Sequence, residues 1–188
     1  MADIVVIPYE EKYKEDARAI CLATAGPNAY EPKSTRFLLS TFCDYYLEHE
    51  AEHCLVAVDR DADRAIGYVL CAPDFNKFKR IFRRDYYPRV KGCGFFDVLE
   101  AFGSMVLPSF FKKDYPAHMH IDILPDYQGG GLGTRMTETL LNSLKADGIS
   151  GIMLTVDTVN TGAIRFYKRL GFDVILSLKS CTCMAKKI

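Results

Sequence analysis

Four glycines crowd into Gln128-Gly129-Gly130-Gly131-Leu132-Gly133-Thr134, between a short alternating segment and a long amphipathic one. Ahead of them, residues 117–124 read Ala-His-Met-His-Ile-Asp-Ile-Leu, a strand that Pro125 ends because proline offers no ladder donor. Behind them, Leu132, Met136, Leu140, Leu141 and Leu144 recur at helical spacing across 131–147, and Gly148 stands where a left-handed C-terminal cap belongs. A strand-to-helix turn of glycines lets backbone N–H groups approach an anion without Cβ interference. The helix N-terminus adds positive potential, so a phosphate or pyrophosphate suits the turn. A tight turn with no ligand satisfies the same residues. Two nucleotide patterns are excluded. No Gly-x4-Gly-Lys-Ser/Thr run exists, and Gly-x-Gly-x-x-Gly started from Gly129 or Gly131 lacks its third glycine.

The rest of the chain builds a sheet around this unit. Residues 3–8 read as a strand and 10–23 as a helix, with Tyr13, Ala17, Ile20 and Cys21 on one stripe. Gly26-Pro27-Asn28 breaks it. Residues 33–49 are expected as a second helix, with Phe37, Leu38, Phe42, Tyr45 and Tyr46 inward. Residues 53–59 and 65–72 form a hairpin about the turn 60–63. Residues 73–116 are an aromatic-rich insertion, expected as helices over 75–87 and 96–112 with Gly92-Cys93-Gly94 between them. It serves as extra core or a dimer contact, or as a substrate wall or lid. Residues 151–157 are a strand. Asn160 caps a helix through Leu170 that buries Ala163, Ile164, Phe166, Tyr167 and Leu170, and Gly171 terminates it. Residues 172–177 and 180–186 close as a hairpin. The order βααββ, insertion, βαβαββ predicts a mixed α/β sheet with helical crossovers.

Composition narrows the function classes. The chain has 188 residues, the size of one domain. Its 24 Lys and Arg balance 24 Asp and Glu, which argues against nucleic-acid partners and a polybasic membrane anchor. No apolar run reaches the length of a spanning helix, and the N-terminus lacks a signal-peptide pattern. Seven scattered cysteines fit reduced thiols, and so a cytoplasmic or nuclear setting. His118-Met119-His120 suggests a metal only with further ligands, and Cys181 and Cys183 lie far off in sequence, so no metal is expected. Lys77, Lys79, Arg80, Arg83, Arg84, Arg89 and Lys91 make the insertion basic: a solvated helix face, or a surface for an acidic ligand.

What remains of the glycine loop is Gln-x-x-Gly-x-Gly, at Gln128, Gly131 and Gly133. With Asn160-Thr-Gly-Ala-Ile-Arg-Phe-Tyr-Lys-Arg-Leu-Gly-Phe172 in register behind it, the chain resembles the GCN5-related N-acetyltransferases, the GNAT enzymes. A narrower resemblance is to the acetyltransferase-like domain of O-GlcNAcase and its stand-alone bacterial relatives. It rests on Pro116-Ala-His-Met-His-Ile-Asp-Ile-Leu-Pro125, on Gly67-Tyr-Val-Leu-Cys-Ala-Pro-Asp74 and on the aromatic insertion. The resemblance implies one GNAT domain over 1–188: a mostly antiparallel twisted sheet flanked by helices and splayed between strands 117–124 and 151–157. It also implies an acyltransferase that uses acetyl-CoA to acetylate a primary amine in a ternary complex. The acceptor would be a small molecule, an amino sugar, or a protein lysine or N-terminus. A homodimer through the insertion is one further reading. The alternative is a catalytically silent acyl-CoA-binding or interaction module on the same fold.

By the same resemblance, backbone groups of Ile121, Asp122 and Ile123 would pair with the cofactor's pantetheine arm. Gln128, Gly129, Gly130, Gly131, Leu132, Gly133 and Thr134 would hold its pyrophosphate, and Asn160, Phe166 and Tyr167 would line it. Tyr167 would protonate the departing thiolate; spacing alone makes it a core aromatic. The carboxylates that many relatives use as base are replaced here by Ala117 and Thr155. Asp157 and Asp122 are the remaining base candidates. Strand alternation puts His118, His120 and Asp122 on one face, and Ala117, Met119 and Ile121 on the other. Family registry turns the latter three toward the amine.

Overall fold

The computed structural model describes residues 3–94, 106 and 108–188. One sheet contains β1 (Ile4–Pro8), β2 (Leu55–Asp59), β3 (Arg64–Ala72), β4 (Ala117–Ile123), β5 (Gly151–Asp157), β6 (Asp173–Ser177) and β7 (Cys181–Lys187). Their spatial order is β1-β2-β3-β4-β5-β7-β6. Every neighbouring pair is antiparallel except β4 and β5. The helices are α1 (Lys14–Thr24), α2 (Pro32–Phe42), α3 (Asp44–His49), α4 (Phe75–Ile81), α5 (Tyr87–Val90), α6 (Leu132–Ala146) and α7 (Thr161–Arg169). A parallel pair needs a crossover, and α6 supplies it between β4 and β5. The result is the mixed, mostly antiparallel α/β sheet that the element order predicts.

Period-two alternation divides the core between the two sheet faces. On β4, Ala117, Met119, Ile121 and Ile123 join Leu132, Met136, Leu140 and Leu144 of α6 and Tyr167 of α7. The opposite face packs Tyr68, Leu70 and Ala72 of β3 against α1, Tyr45 and Tyr46 of α3, and Phe75 and Phe78 of α4. Among the described residues, no helix is long and apolar enough to cross a membrane.

Three expectations need correction. Residues 33–49 are not one helix: at Cys43 the backbone turns to φ −132°, ψ −67° and separates α2 from α3. Tyr45 and Tyr46 are both fully buried, as the stripe predicts, while Leu38 and Phe42 on the other side of the break are only half-buried. The strand expected from 53 begins at Leu55, because Ala51–His53 forms a 3-10 turn that brings His53 N–H to the Glu50 carbonyl. The helix expected over 75–87 extends to Val90, with a π turn at Phe82–Tyr86. Pro88 has no N–H for an ordinary helical bond, and the wider turn just before it absorbs that interruption. Of the helix expected over 96–112, residues 95–105 and 107 lie outside the described residues, and 108–111 are helical.

Candidate active site

The β4–β5 pairing is short. Only Ala117 with Ile152 and His118 with Met153 stand opposite one another. From Met119 onward β4 pairs with β3 on one edge alone, through Ile121–Val69, Asp122–Tyr68 and Ile123–Gly67. β5 likewise continues on β7 as far as Asp157–Cys181. The two strands therefore splay, and each keeps an edge of backbone groups free in the gap. Burial follows the pairing: the first three residues of β4 are buried and its last four are half-buried.

The glycine loop opens at the mouth of this gap. Gly129 and Gly131 hold φ values of +86° and +80°, in the left-handed region that glycine enters freely. A Cβ at Gly129, Gly130 or Gly131 would meet nothing within 4 Å, so the loop borders open space. The first α6 backbone bond runs from Arg135 N–H to the Gly131 carbonyl. The N–H groups of Leu132, Gly133 and Thr134 therefore have no intrahelical acceptor. These free donors, open space and helix dipole fit a pyrophosphate. Gln128 does something the sequence did not reveal: its Nε2 donates to the Ile123 carbonyl at 2.7 Å and straps the loop to the end of β4. Gly133 also has a second role. A Cβ there would come within 3.2 Å of the Phe166 ring, so this glycine lets α6 approach α7 closely.

Asn160 caps α7 as expected, its Oδ1 accepting from Ala163 N–H at 3.0 Å. Replacing Asn160 with Ala should lower stability by about 1 kcal/mol, the usual worth of such a cap; a shift of the urea midpoint at constant slope reads it. Asp157 is exposed at the end of β5, and its Oδ1 accepts from Val159 N–H at 3.2 Å. The carboxylate thus shapes the turn into α7. Thr155 is exposed beside the Cys183 thiol, 3.7 Å away.

Tyr167 is 8% exposed, between the Phe166 and Phe172 rings. It shares its cluster with Ile121 of β4 and Val156 of β5, which flank the gap. Among the described residues its hydroxyl has no hydrogen-bond partner, and it is not one of the buried orphan atoms. Burial holds its phenol well above the usual range, and the nearby Asp122 carboxylate adds to this. Tyr167 and Asp122 belong to opposite sheet faces, and the opening between β4 and β5 brings them into each other's field.

Asp122 is the carboxylate that the fold singles out. Tyr68 Oη donates to its Oδ2 at 2.5 Å from the facing position on β3. Burial pushes its pKa up to about 6, against the lowering effect of the Tyr68 and Thr24 hydroxyls. Alongside, Tyr46 Oη lies 2.9 Å from Nε2 of both His118 and His120. Burial pushes His118 down to about 3, with His120 contributing, and His120 down to about 4. Both imidazoles are therefore neutral at pH 7. Of the face formed by Ala117, Met119 and Ile121, the first two are 0% and 1% exposed beneath α6, while Ile121 is half-buried at the gap.

These shifts set a pH dependence of stability. Below pH 6.5 the unfolded chain takes up two imidazole protons that the native chain refuses. Between about 4 and 6 the native Asp122 retains a proton that the unfolded chain has lost, an opposite and smaller effect. The buried Asp44 carboxyl, also raised, works in the same sense as Asp122. Stability should thus fall as pH drops from 7 to 5, by about 1.4 kcal/mol per pH unit for each net proton. Denaturant titrations at pH 7, 6 and 5 test this, and a flat profile would contradict it.

The basic residues of the insertion do not form one surface. Lys77 turns inward to the buried Glu50, 2.8 Å away. Arg89 lies over the Tyr86 ring, and Arg84 pairs with Asp85 at 2.6 Å. Lys79, Arg80, Arg83 and Arg84, with Asn76, line an open groove of about 530 Å³ on the outer side of α4.

A sheet splayed between two parallel strands, with a glycine loop and helix N-terminus at the mouth of the gap, defines an acyl-transferase fold of the GNAT type. The family model described as Acetyltransferase (GNAT) family matches residues 21–172, and the chain belongs to that family. Members of the family use acetyl-CoA. Among curated relatives, mycothiol acetyltransferase of Streptosporangium roseum is 48% identical over 52 residues, 28% of this chain. The matched part spans only 15% of that protein's length. N-alpha-acetyltransferase 30 of Schizosaccharomyces pombe is 25% identical over 169 residues, covering 90% of this chain and 83% of that protein. Among solved structures, the crystal structure of SsHAT superposes with a TM-score of 0.84 at 31% identity, over 98% of both chains.

Proposed function

We propose that this chain is an acetyl-CoA-dependent N-acetyltransferase acting on a primary amine, with its acceptor entering on the Asp122 face. The observation that carries this reading is the two-rung β4–β5 pairing, which opens a gap bordered by the glycine loop and Tyr167. Acetyl-CoA, when bound, would supply the thioester whose acetyl group is transferred. The backbone of Ile121, Asp122 and Ile123 would bind its pantetheine arm, the Ile123 carbonyl being already taken by Gln128. Gly129 to Thr134 would bind the pyrophosphate, with Gln128 holding that loop in place and Asn160 and Phe166 lining the arm. Asp122 accepts the proton of the amine at its carboxylate, because a pKa of about 6 leaves it mostly ionised at pH 7.5. Tyr167 holds a proton at Oη, ready for the departing thiolate. Asp157 is the weaker base candidate, since its carboxylate is committed to the turn at Val159.

The narrower kinship with the O-GlcNAcase acetyltransferase-like domain rests on residues 67–74 and 116–125 and keeps amino sugars among the acceptors. Calorimetric titration with acetyl-CoA, with desulfo-CoA as the control for thiol exchange, is the first test. One-to-one binding followed by acetylation of an offered amine is expected. Saturable binding with no transfer to any peptide or amino sugar would instead make the chain a silent acyl-CoA-binding module. No binding at millimolar cofactor would remove the cofactor assignment.

A further inference from the structure

His120 is not used in the acetyl transfer described above, yet it occupies the same face of β4 as Asp122, two residues away. Such neighbours lie about 6.6–6.8 Å apart along a strand. Its ring packs against Phe42 at the end of α2, with centroids 5.4 Å apart. Nε2 is held by Tyr46 Oη. Nδ1 bonds no described residue and is not among the atoms sealed from solvent without a partner. His118 is the reverse case: its Nε2 also meets Tyr46 Oη, and its Nδ1 is buried with no partner.

One hydroxyl proton serves both imidazoles, so their tautomers are linked. If both rings donated to Tyr46, its buried O–H would have no acceptor, so Tyr46 accepts from one ring and donates to the other. If Tyr46 donated to His118, the proton of His118 would sit on its buried Nδ1, an orphan N–H of the kind that folded proteins rarely tolerate. If His118 donates instead, Tyr46 donates to His120 Nε2, and His120 carries its proton on Nδ1, which is not sealed. A relay that moves a proton from the cleft to His118 is excluded, since it would leave an imidazolium sealed among Phe75, Phe78 and Tyr46.

We propose that Tyr46 locks His120 as an Nδ1–H donor facing the acceptor, so that His120 selects amines carrying a neutral oxygen next to the amino carbon. A hydroxyl or an amide carbonyl supplies that oxygen, whereas a carboxylate would be repelled by Asp122. His120 is then a specificity-determining residue and Tyr46 a positioning residue. The proposal rests on the acetyltransferase reading, and its test separates the two.

Ethanolamine, glycinamide and propylamine, compared at equal free-amine concentration, are the probes. Ethanolamine and glycinamide distinguish hydroxyl from carbonyl, and propylamine lacks the oxygen. The kcat/KM of the oxygen-bearing amines is expected to exceed that of propylamine about tenfold, the scale of one well-placed hydrogen bond. His120→Phe keeps the aromatic packing and should bring that ratio close to one. His120→Asn, which restores a donor near the Nδ1 position, should recover part of it. Tyr46→Phe should reduce the ratio and mix the His120 tautomers in imidazole 15N spectra. In the wild type those spectra should show Nδ1 protonated. A bare Nδ1, or a wild-type ratio near one, overturns the proposal. Transfer to peptides or amino sugars but to none of the three amines overturns this proposal alone; no transfer to any of these acceptors overturns the acetyltransferase reading instead, and the 15N spectrum still decides the tautomer.

Discussion

Replacing Tyr167 with Phe lowers turnover by about 10²–10⁴-fold, the range expected when a positioned general acid is removed, while acetyl-CoA affinity stays nearly constant. The structure makes this a clean substitution. The Tyr167 hydroxyl bonds no described residue, so its removal leaves no orphaned partner. The ring keeps its contacts with Phe166 at 5.0 Å and Phe172 at 5.6 Å. Stability should therefore change by less than about 1 kcal/mol. Steady-state kinetics with calorimetric cofactor titration separates the two effects. Full turnover in this variant would return Tyr167 to a purely structural role.

Asp122→Asn is expected to have effects of opposite sign on activity and stability. Loss of the base should cut kcat by about 10²–10⁴-fold and remove the acidic limb of the pH–rate profile, which in the parent turns near the native pKa of about 6. Stability should rise. The native carboxyl titrates at about 6 against 3.8 in the unfolded chain, so ionisation of Asp122 works against folding. That penalty is absent below pH 4, grows between 4 and 6, and is fully present above 6. Asn escapes it, so at pH 7.5 the variant should be more stable by about 1–3 kcal/mol, and at pH 3.5 the difference should vanish. A side chain kept for packing alone would show no such trade. An Asn variant that is less stable at pH 7.5 and fully active would refute the assignment.

Much of the local architecture was legible before any coordinates. The leucine stripe of α6, the cap at Asn160 and the left-handed Gly148 and Gly171 are short-range features, set by neighbours within a turn or two. The family motif also lies in two contiguous runs. Less legible were elements whose phase depends on distant partners. The break at Cys43 interrupts a stripe, Leu38, Phe42, Tyr45 and Tyr46, that one unbroken helix would also satisfy, so periodicity within 33–49 does not reveal it. The π turn before Pro88 has a signal in that proline, whose missing N–H marks the interruption.

The candidate base shows the same division. Sequence alone left Asp157 and Asp122 level, since both are acidic residues near the ends of the splayed strands. Tertiary structure separated them through burial: Asp122 is enclosed opposite Tyr68, while Asp157 turns outward to cap its own loop. The linkage of His118, His120 and Tyr46 was invisible in sequence, because it joins positions 72 and 74 residues apart. Amino-acid order by itself determined the strand–glycine loop–helix unit, the Asn cap and the family, because their backbone requirements are local. Only the folded sheet decided which carboxylate is desolvated, which imidazole edge is sealed, and that β4 and β5 part after two rungs, because charge and solvent access depend on groups brought together across the chain.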